Sequence, residues 1–285
     1  MSHVDLLSRY RTDALGVEPG CFTNWLGLKT DAGLFDYGEH LRGRVLADLP
    51  IPDDRAYGTE WEYASLLTAI EEAAPRGRFT AVELGAGWGP WISAAGKVCQ
   101  RLGVGDVTLV GVEADEGRME LMAQHMRRNG LTARLIHGAA WSEDTRLKFP
   151  KIHVEDHGAA VSETGDHADP DYRGLPQQYQ EAPAFGLATI CQGLGVIDYM
   201  HWDIQGAELR VFESSIALLN DRARHLFIGT HSRPIEGRLI EHFYQQGWDV
   251  VYHNPCQFTF DRSKPTIEGM TTRDGEIVAR NPRLA

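Results

Sequence analysis

Cysteine, positive charge and long apolar runs are all scarce in this chain. Its four cysteines, Cys21, Cys99, Cys191 and Cys256, are scattered over 285 residues without a Cys-x-x-Cys pair. That spacing supports neither a zinc ribbon nor a dithiol redox centre, so buried free thiols in a reducing compartment are expected. Lys and Arg number 28 against 40 Asp and Glu, a formal charge of -12. Broad phosphate-backbone binding needs clustered cations, so nucleic acid is not an expected partner. No stretch approaches the roughly 20 apolar residues of a membrane span. The opening Met1-Ser2-His3-Val4-Asp5 lacks the basic start and apolar run of a secretory signal, and a cytoplasmic protein is expected. Internal repeats and low-complexity blocks are missing as well.

What is present is a strand–helix rhythm. Phe79-Thr80-Ala81-Val82-Glu83-Leu84 is a short β-branched, apolar run ended by glycines, as a buried parallel strand would be. A helix should follow from Pro90 or Trp91 to about Leu102, with proline tolerated in its first turn. Val107 to Glu113 reads as a second strand, and Asp115 can cap the next helix. That helix carries Met119, Met122, Ala123 and Met126 on one face, a stripe that suits core packing, and Gly130 stops it. Arg134 to His137 gives a third strand. Such alternation predicts an α/β fold with a parallel sheet and helices on both faces.

The rhythm resumes at Val196 to Asp203, a strand, followed by a helix with Leu209, Phe212, Ile216 and Leu219 on one face. His225 to Thr230 is a further strand, and Pro234 to about Gln246 a further helix. Asp249–Tyr252 and Cys256–Phe260 suit closing antiparallel strands, and Arg273-Asp274-Gly275-Glu276 is a turn signal for another hairpin. Two regions fall outside this pattern. Residues 1–75 read as a helical extension without a strong strand, serving as a lid or a homo-oligomer contact. Residues 142–195 form an acidic, turn-rich insertion in the 76–285 domain, with edge strands near Leu147–Phe149 and Ala159–Val161. Long loops are usually functional or disordered, and a lid or acceptor-contacting segment is expected around Asp169 to Pro183.

The chemistry concentrates at strand ends. Glu83-Leu84-Gly85-Ala86-Gly87-Trp88-Gly89 places a glycine turn between strand and helix, where backbone can approach a ligand closely. An NAD-dependent oxidoreductase is the first alternative, but Pro90 occupies the third glycine of the dinucleotide fingerprint, and Glu83 is unhelpful beside a pyrophosphate. Glu83 instead suits a ligand with a cationic amino-acid end. Glu113, ending the second strand, can accept hydrogen bonds from both ribose hydroxyls. The two acids select a positively charged nucleoside without phosphate, a description that S-adenosylmethionine fits, with Ala114 beside its adenine. Trp88 should pack against such a cofactor; Trp141 and Ser142 could bracket adenine. Tyr57-Gly58-Thr59-Glu60-Trp61 could fold over the methionine end.

From here the sequence resembles the class I S-adenosylmethionine-dependent methyltransferases. Ile197-Asp198-Tyr199-Met200-His201-Trp202-Asp203-Ile204-Gln205-Gly206-Ala207-Glu208 resembles the Asp-x-x-Gly-x-Glu signature of the FkbM family of O-methyltransferases. The likeness runs from Phe79 to Val251 and includes Gly138-Ala139-Ala140-Trp141. It implies a Rossmann-like fold with a mainly parallel seven-stranded sheet, and methyl transfer to a hydroxyl of a sugar, polysaccharide precursor or natural product. Glu83, Gly85, Gly87, Trp88, Glu113, Ala114, Ala139 and Asp203 would then hold the cofactor. Asp203 or His231 would take the hydroxyl proton, with Gln205 as an acceptor contact. Alternatively, Asp203, Glu208 and His231 could hold magnesium or manganese. A non-catalytic nucleoside-binding module of the same fold is the reading from outside enzymology. The acceptor itself, small molecule or glycan, has no motif.

Overall fold

The computed structural model describes residues 3–35, 38–51, 58–151, 158–163 and 170–284. In chain order its elements are α1 (His3–Tyr10), β1 (Cys21–Asn24), β2 (Lys29–Asp31), β3 (Val45–Leu46), α2 (Glu60–Ala73), β4 (Arg78–Leu84), α3 (Pro90–Leu102), β5 (Asp106–Glu113), α4 (Glu116–Arg128) and β6 (Arg134–His137). The insertion contributes β7 (Ala139–Ala140), β8 (Thr145–Pro150) and β9 (Tyr179–Phe185), then α5 (Leu187–Ile190). The second half adds β10 (Ile197–Trp202), α6 (Glu208–Arg222), β11 (Ala223–Thr230), α7 (Arg233–Gln245), β12 (Asp249–Asn254), β13 (Gln257–Phe258), β14 (Thr271–Arg273) and β15 (Gly275–Arg280).

Seven strands form one sheet in the order β6-β5-β4-β10-β11-β15-β12. Only β15 runs against the others, wedged between β11 and β12. This is the α/β, Rossmann-like class I methyltransferase fold that the motifs imply. Alternate residues feed opposite layers, as a period of two requires. Phe79, Ala81, Leu109, Tyr199, Phe227 and Val278 pack toward α1–α4, whereas Val82, Val110, Met200, Trp202, Leu226 and Ile277 pack toward α5–α7. Burial on both faces explains why these strands read as nearly continuous apolar runs. Each fully buried side chain of this size contributes about 1.5–3 kcal/mol.

Helix starts are set locally. Thr59 caps α2 in a capping box with Glu62. Asp115 accepts from the Arg118 N–H at the start of α4, and Ser232 from the Ile235 N–H at the start of α7. Pro90 occupies the first turn of α3 behind a left-handed Gly89.

The extension departs from its all-helical reading. Between α1 and α2 lies a three-stranded sheet, β2-β1-β3. Its strands are two to four residues long and hold few β-branched side chains, so no alternation betrays them. The insertion is also more ordered than its composition suggests: β7, β9 and β8 form a second small sheet, with Lys148 and Ser162 bridging to it. The expected lid begins at Asp169, which lies outside the described residues; Asp171 to Pro183 includes most of β9. At the C-terminus the turn signal does not close a simple hairpin but launches β15 into the sheet interior. No helix of the described residues is long and apolar enough to cross a membrane.

Candidate active site

Strand order reverses between β4 and β10, and crevices form at the carboxyl ends of strands beside such a reversal. The β4 turn and the β10 turn touch there: the Asp203 N–H donates to the Leu84 carbonyl at 3.0 Å. A Cβ at Gly85, whose φ is +68°, would collide with the Asp203 carbonyl, so this position requires glycine twice over. Gly87, at φ +54°, has nothing within 4 Å of where its Cβ would be; its backbone edges open space.

The cavity above these turns is walled by Glu83, Gly85, Gly87, Trp88, Glu113, Ala114, Ala139 and Asp203. These are the eight residues that the sequence nominated for a cofactor, drawn from four separate strand ends. Glu113 is buried, and its two oxygens accept from the Gly87 N–H at 2.7 Å and the Asp115 N–H at 2.8 Å. Each oxygen keeps a lone pair for a further donor. Burial raises its pKa against those two bonds. Glu83 is equally buried and caps α3, accepting from the Ile92 N–H at 2.9 Å and the Trp91 N–H at 3.3 Å. Burial pushes its carboxyl up to about 8 despite the helix amides.

Across the cavity mouth stands a chain of side chains. The Asp203 carboxylate accepts from the Gln205 amide at 2.8 Å and faces His231 Nε2 at 3.1 Å. His231 Nδ1 in turn lies 2.7 Å from Glu208, a fully buried carboxylate that also accepts from the Gly206 N–H. Burial opposes the charge on His231, yet Glu208 and Asp203 outweigh it and raise its pKa well above the ordinary value. Burial likewise works against the charge of Asp203, but the hydrogen bond and charge of His231 win and hold its carboxyl low. His231 is therefore an imidazolium with a carboxylate on each nitrogen, and neither nitrogen keeps a lone pair for a substrate proton. Asp203, about half exposed, keeps an open oxygen.

The same geometry bears on the metal alternative. Asp203, Glu208 and His231 do converge, but as a hydrogen-bonded chain in which the imidazole uses both nitrogens. No group of three or more ligating side chains is arranged to hold a metal among the described residues.

Other expectations are redistributed. Trp141 faces a neighbouring cavity, with the Arg210 guanidinium 4.6 Å over its ring, and Ser142 does not line the cleft. Trp61 stacks on Tyr252 at 4.1 Å, away from the cleft, and Tyr57 lies outside the described residues. Gln205 sits at the junction with φ +48°, an uncommon conformation for a residue other than glycine. Sequence reasoning missed His201, which is sandwiched between Trp91 at 5.0 Å and Phe227 at 4.8 Å and lies 3.0 Å from Glu62. A histidine flanked by Met200 and Trp202 in a buried strand was the available signal. It missed Arg118 too, which lines the cleft from the first turn of α4.

No family model matches the chain. A protein of Jannaschia sp. (strain CCS1) named "Putative methyltransferase" is 29% identical over 276 residues, covering 93% of this chain and 94% of that one. Among solved structures, the ribosomal protein L11 methylase from Lactobacillus delbrueckii subsp. bulgaricus has 11% identity and a TM-score of 0.40, covering 79% of this chain and 80% of its own. Precorrin-6y C5,15-methyltransferase from Geobacter metallireducens GS-15 has 8% identity and a TM-score of 0.42, covering 80% and 91%. The fold assignment rests on the strand order itself.

Proposed function

We propose that the protein is an S-adenosylmethionine-dependent O-methyltransferase acting on a hydroxyl of a sugar, polysaccharide precursor or natural product. The observation that carries this reading is the convergence of the glycine turn, Glu113 and Asp203 on one cleft. The likeness to the Jannaschia protein and the FkbM-like run at Asp203–Glu208 support it.

The residues present fit that cofactor. The free lone pairs of Glu113 suit a pair of ribose hydroxyls, and the open edge at Gly87 admits a ligand against backbone. Ala114, Ala139 and Ala140 leave room for a flat ring. Glu83 offers a buried carboxyl to a cationic group. Once bound, S-adenosylmethionine supplies a methyl group activated by positive sulfur.

The protein's own part is positioning and proton removal. Asp203, held ionised, would accept the acceptor hydroxyl's hydrogen bond and take its proton as the methyl group passes to oxygen, the carbon–sulfur bond breaking to leave a neutral thioether. The Gln205 amide and the His231 imidazolium fix the carboxylate's orientation. Glu208 keeps the imidazolium charged. Alignment of the acceptor oxygen with the methyl supplies much of the acceleration.

Titration calorimetry at pH 7 in two buffers of different ionisation enthalpy tests the reading. S-adenosylmethionine should bind at one site and release close to one proton, because a cationic ligand forces Glu83 to ionise. Absence of binding would sink the proposal.

A further inference from the structure

A second cavity, of about 280 Å³, opens on the other side of Asp203 and His201. It is walled by three separate stretches: the first turn of α2 (Thr59 and Glu62), the ends of β10 and β11 (His201, Asp203 and His231), and the turn into β15 (Asp274 and Glu276). Asp203 and His201 line this cavity and the cofactor cleft alike, so a group seated here lies beside the same carboxylate.

We propose that this cavity is the acceptor site and that it takes a single-ring polyol carrying a protonated amine. The proposal rests on the methyltransferase reading above and adds the substrate's chemical class. Its wall is rich in hydrogen-bond acceptors, alongside Arg273. Glu62, Asp203, Asp274 and Glu276 bring four carboxyl groups to one small space. Glu276 is 7% exposed and bonds to the side chains of Thr59 and Asn254. Burial, first of all, raises the pKa of Glu276, and a bound cation would reverse that shift.

A second, independent observation concerns His201. It is only 3% exposed, and its Nδ1 has no hydrogen-bond partner among the described residues. With Nε2 facing Glu62 at 3.0 Å, Nδ1 is a buried polar atom left unmet in a side chain of this acceptor-rich wall. A ligand rich in donors suits that wall.

The positive groups do not cancel this pattern. Both nitrogens of His231 are taken by Asp203 and Glu208, and Arg273 lies exposed at the rim. An amine held among carboxylates stays protonated and so has no lone pair for methylation. The neighbouring hydroxyl, facing Asp203, is the nucleophile that remains.

The test uses the full chain, with and without saturating S-adenosylhomocysteine, titrated with D-glucosamine and 2-deoxystreptamine and with their neutral counterparts D-glucose and myo-inositol. The amines should bind about tenfold or more tightly than the neutral rings, with the preference lost at high salt. Glu276→Gln and Asp274→Asn should each abolish that preference while leaving S-adenosylhomocysteine affinity unchanged; Asp274 is exposed, so its variant reports even if Glu276→Gln unfolds. Equal binding of amine and neutral ring, or a preference that survives both substitutions, overturns the proposal. A loss of S-adenosylmethionine affinity in both variants, with no change for the neutral S-adenosylhomocysteine, also overturns it, because the acids would then serve the sulfonium. Failure of S-adenosylhomocysteine to bind the wild type counts instead against the methyl-transfer reading, and the amine preference is still read from the free protein.

Discussion

The acids of the cleft and the acids beyond Asp203 are satisfied in different ways. Glu83 and Glu113 are held by backbone N–H groups of α3, the glycine turn and the start of α4. Desolvation outweighs those bonds, and at Glu113 the charge of Arg118 as well, so both pKa values rise. Asp203 and Glu208 instead share an imidazolium, whose charge overcomes desolvation at Asp203. Glu83 would gain charge beside a bound cation. Asp203 is charged in advance and ready to accept a hydrogen bond. Glu83 and Glu113 on one side and Asp203 on the other thus have their pKa values shifted in opposite directions by what holds them.

The strongest way to break this contrast is Asp203→Asn. Turnover should fall about 10²–10⁴-fold, the range of a lost general base, while S-adenosylhomocysteine binding changes little. A radiolabelled methyl-transfer assay with a true acceptor measures it, and unchanged turnover would remove Asp203 from proton transfer.

The next effect falls on the fold. His231→Gln leaves Glu208 buried without its counter-charge and should cost about 3–5 kcal/mol in urea denaturation. The sign of its pH dependence follows from the raised pKa of His231. The pair's stabilisation is full below the unfolded imidazole value of about 6.5 and fades as pH climbs through the higher folded value. The wild type's advantage over the variant should therefore shrink in alkaline solution. A gap that widened would contradict an imidazolium.

Gln205→Gly is the smallest change and separates strain from orientation. Glycine tolerates φ +48°, so the variant should match or exceed wild-type stability by up to about 1 kcal/mol. It also removes the amide that steadies Asp203, so turnover should drop even as the melting temperature holds or rises. Parallel losses in both would place Gln205 in the fold alone.

The contrast also explains what the sequence made legible. The cleft is written in contiguous stretches: a strand, an acid, two glycines, then another strand and acid. Backbone geometry fixes where such residues go, so Glu83, Gly85, Gly87 and Glu113 could be placed from spacing alone. Asp203 and His231 were readable for the same reason, each leaving the end of a parallel strand. The second cavity has no such grammar. Thr59 and Glu62 reach it from α2, and Asp274 and Glu276 from a strand that enters the sheet against its neighbours. Their meeting depends on the wedge of β15, which the turn signal at Arg273–Glu276 did not reveal. His201 looked like one more core position because its neighbours on β10 are apolar or aromatic. The short strands of the extension stayed hidden because two to four residues cannot display a period.

The central claim is that the cleft between the glycine turn and Glu113 holds an adenosyl group. Glu113→Ala tests it most directly, with S-adenosylhomocysteine affinity measured by calorimetry beside a circular dichroism spectrum. Losing charge-assisted bonds to a ribose should cost about 3 kcal/mol, roughly a 100-fold weaker Kd, with the spectrum unchanged. An affinity equal to wild type in a folded variant would contradict the account.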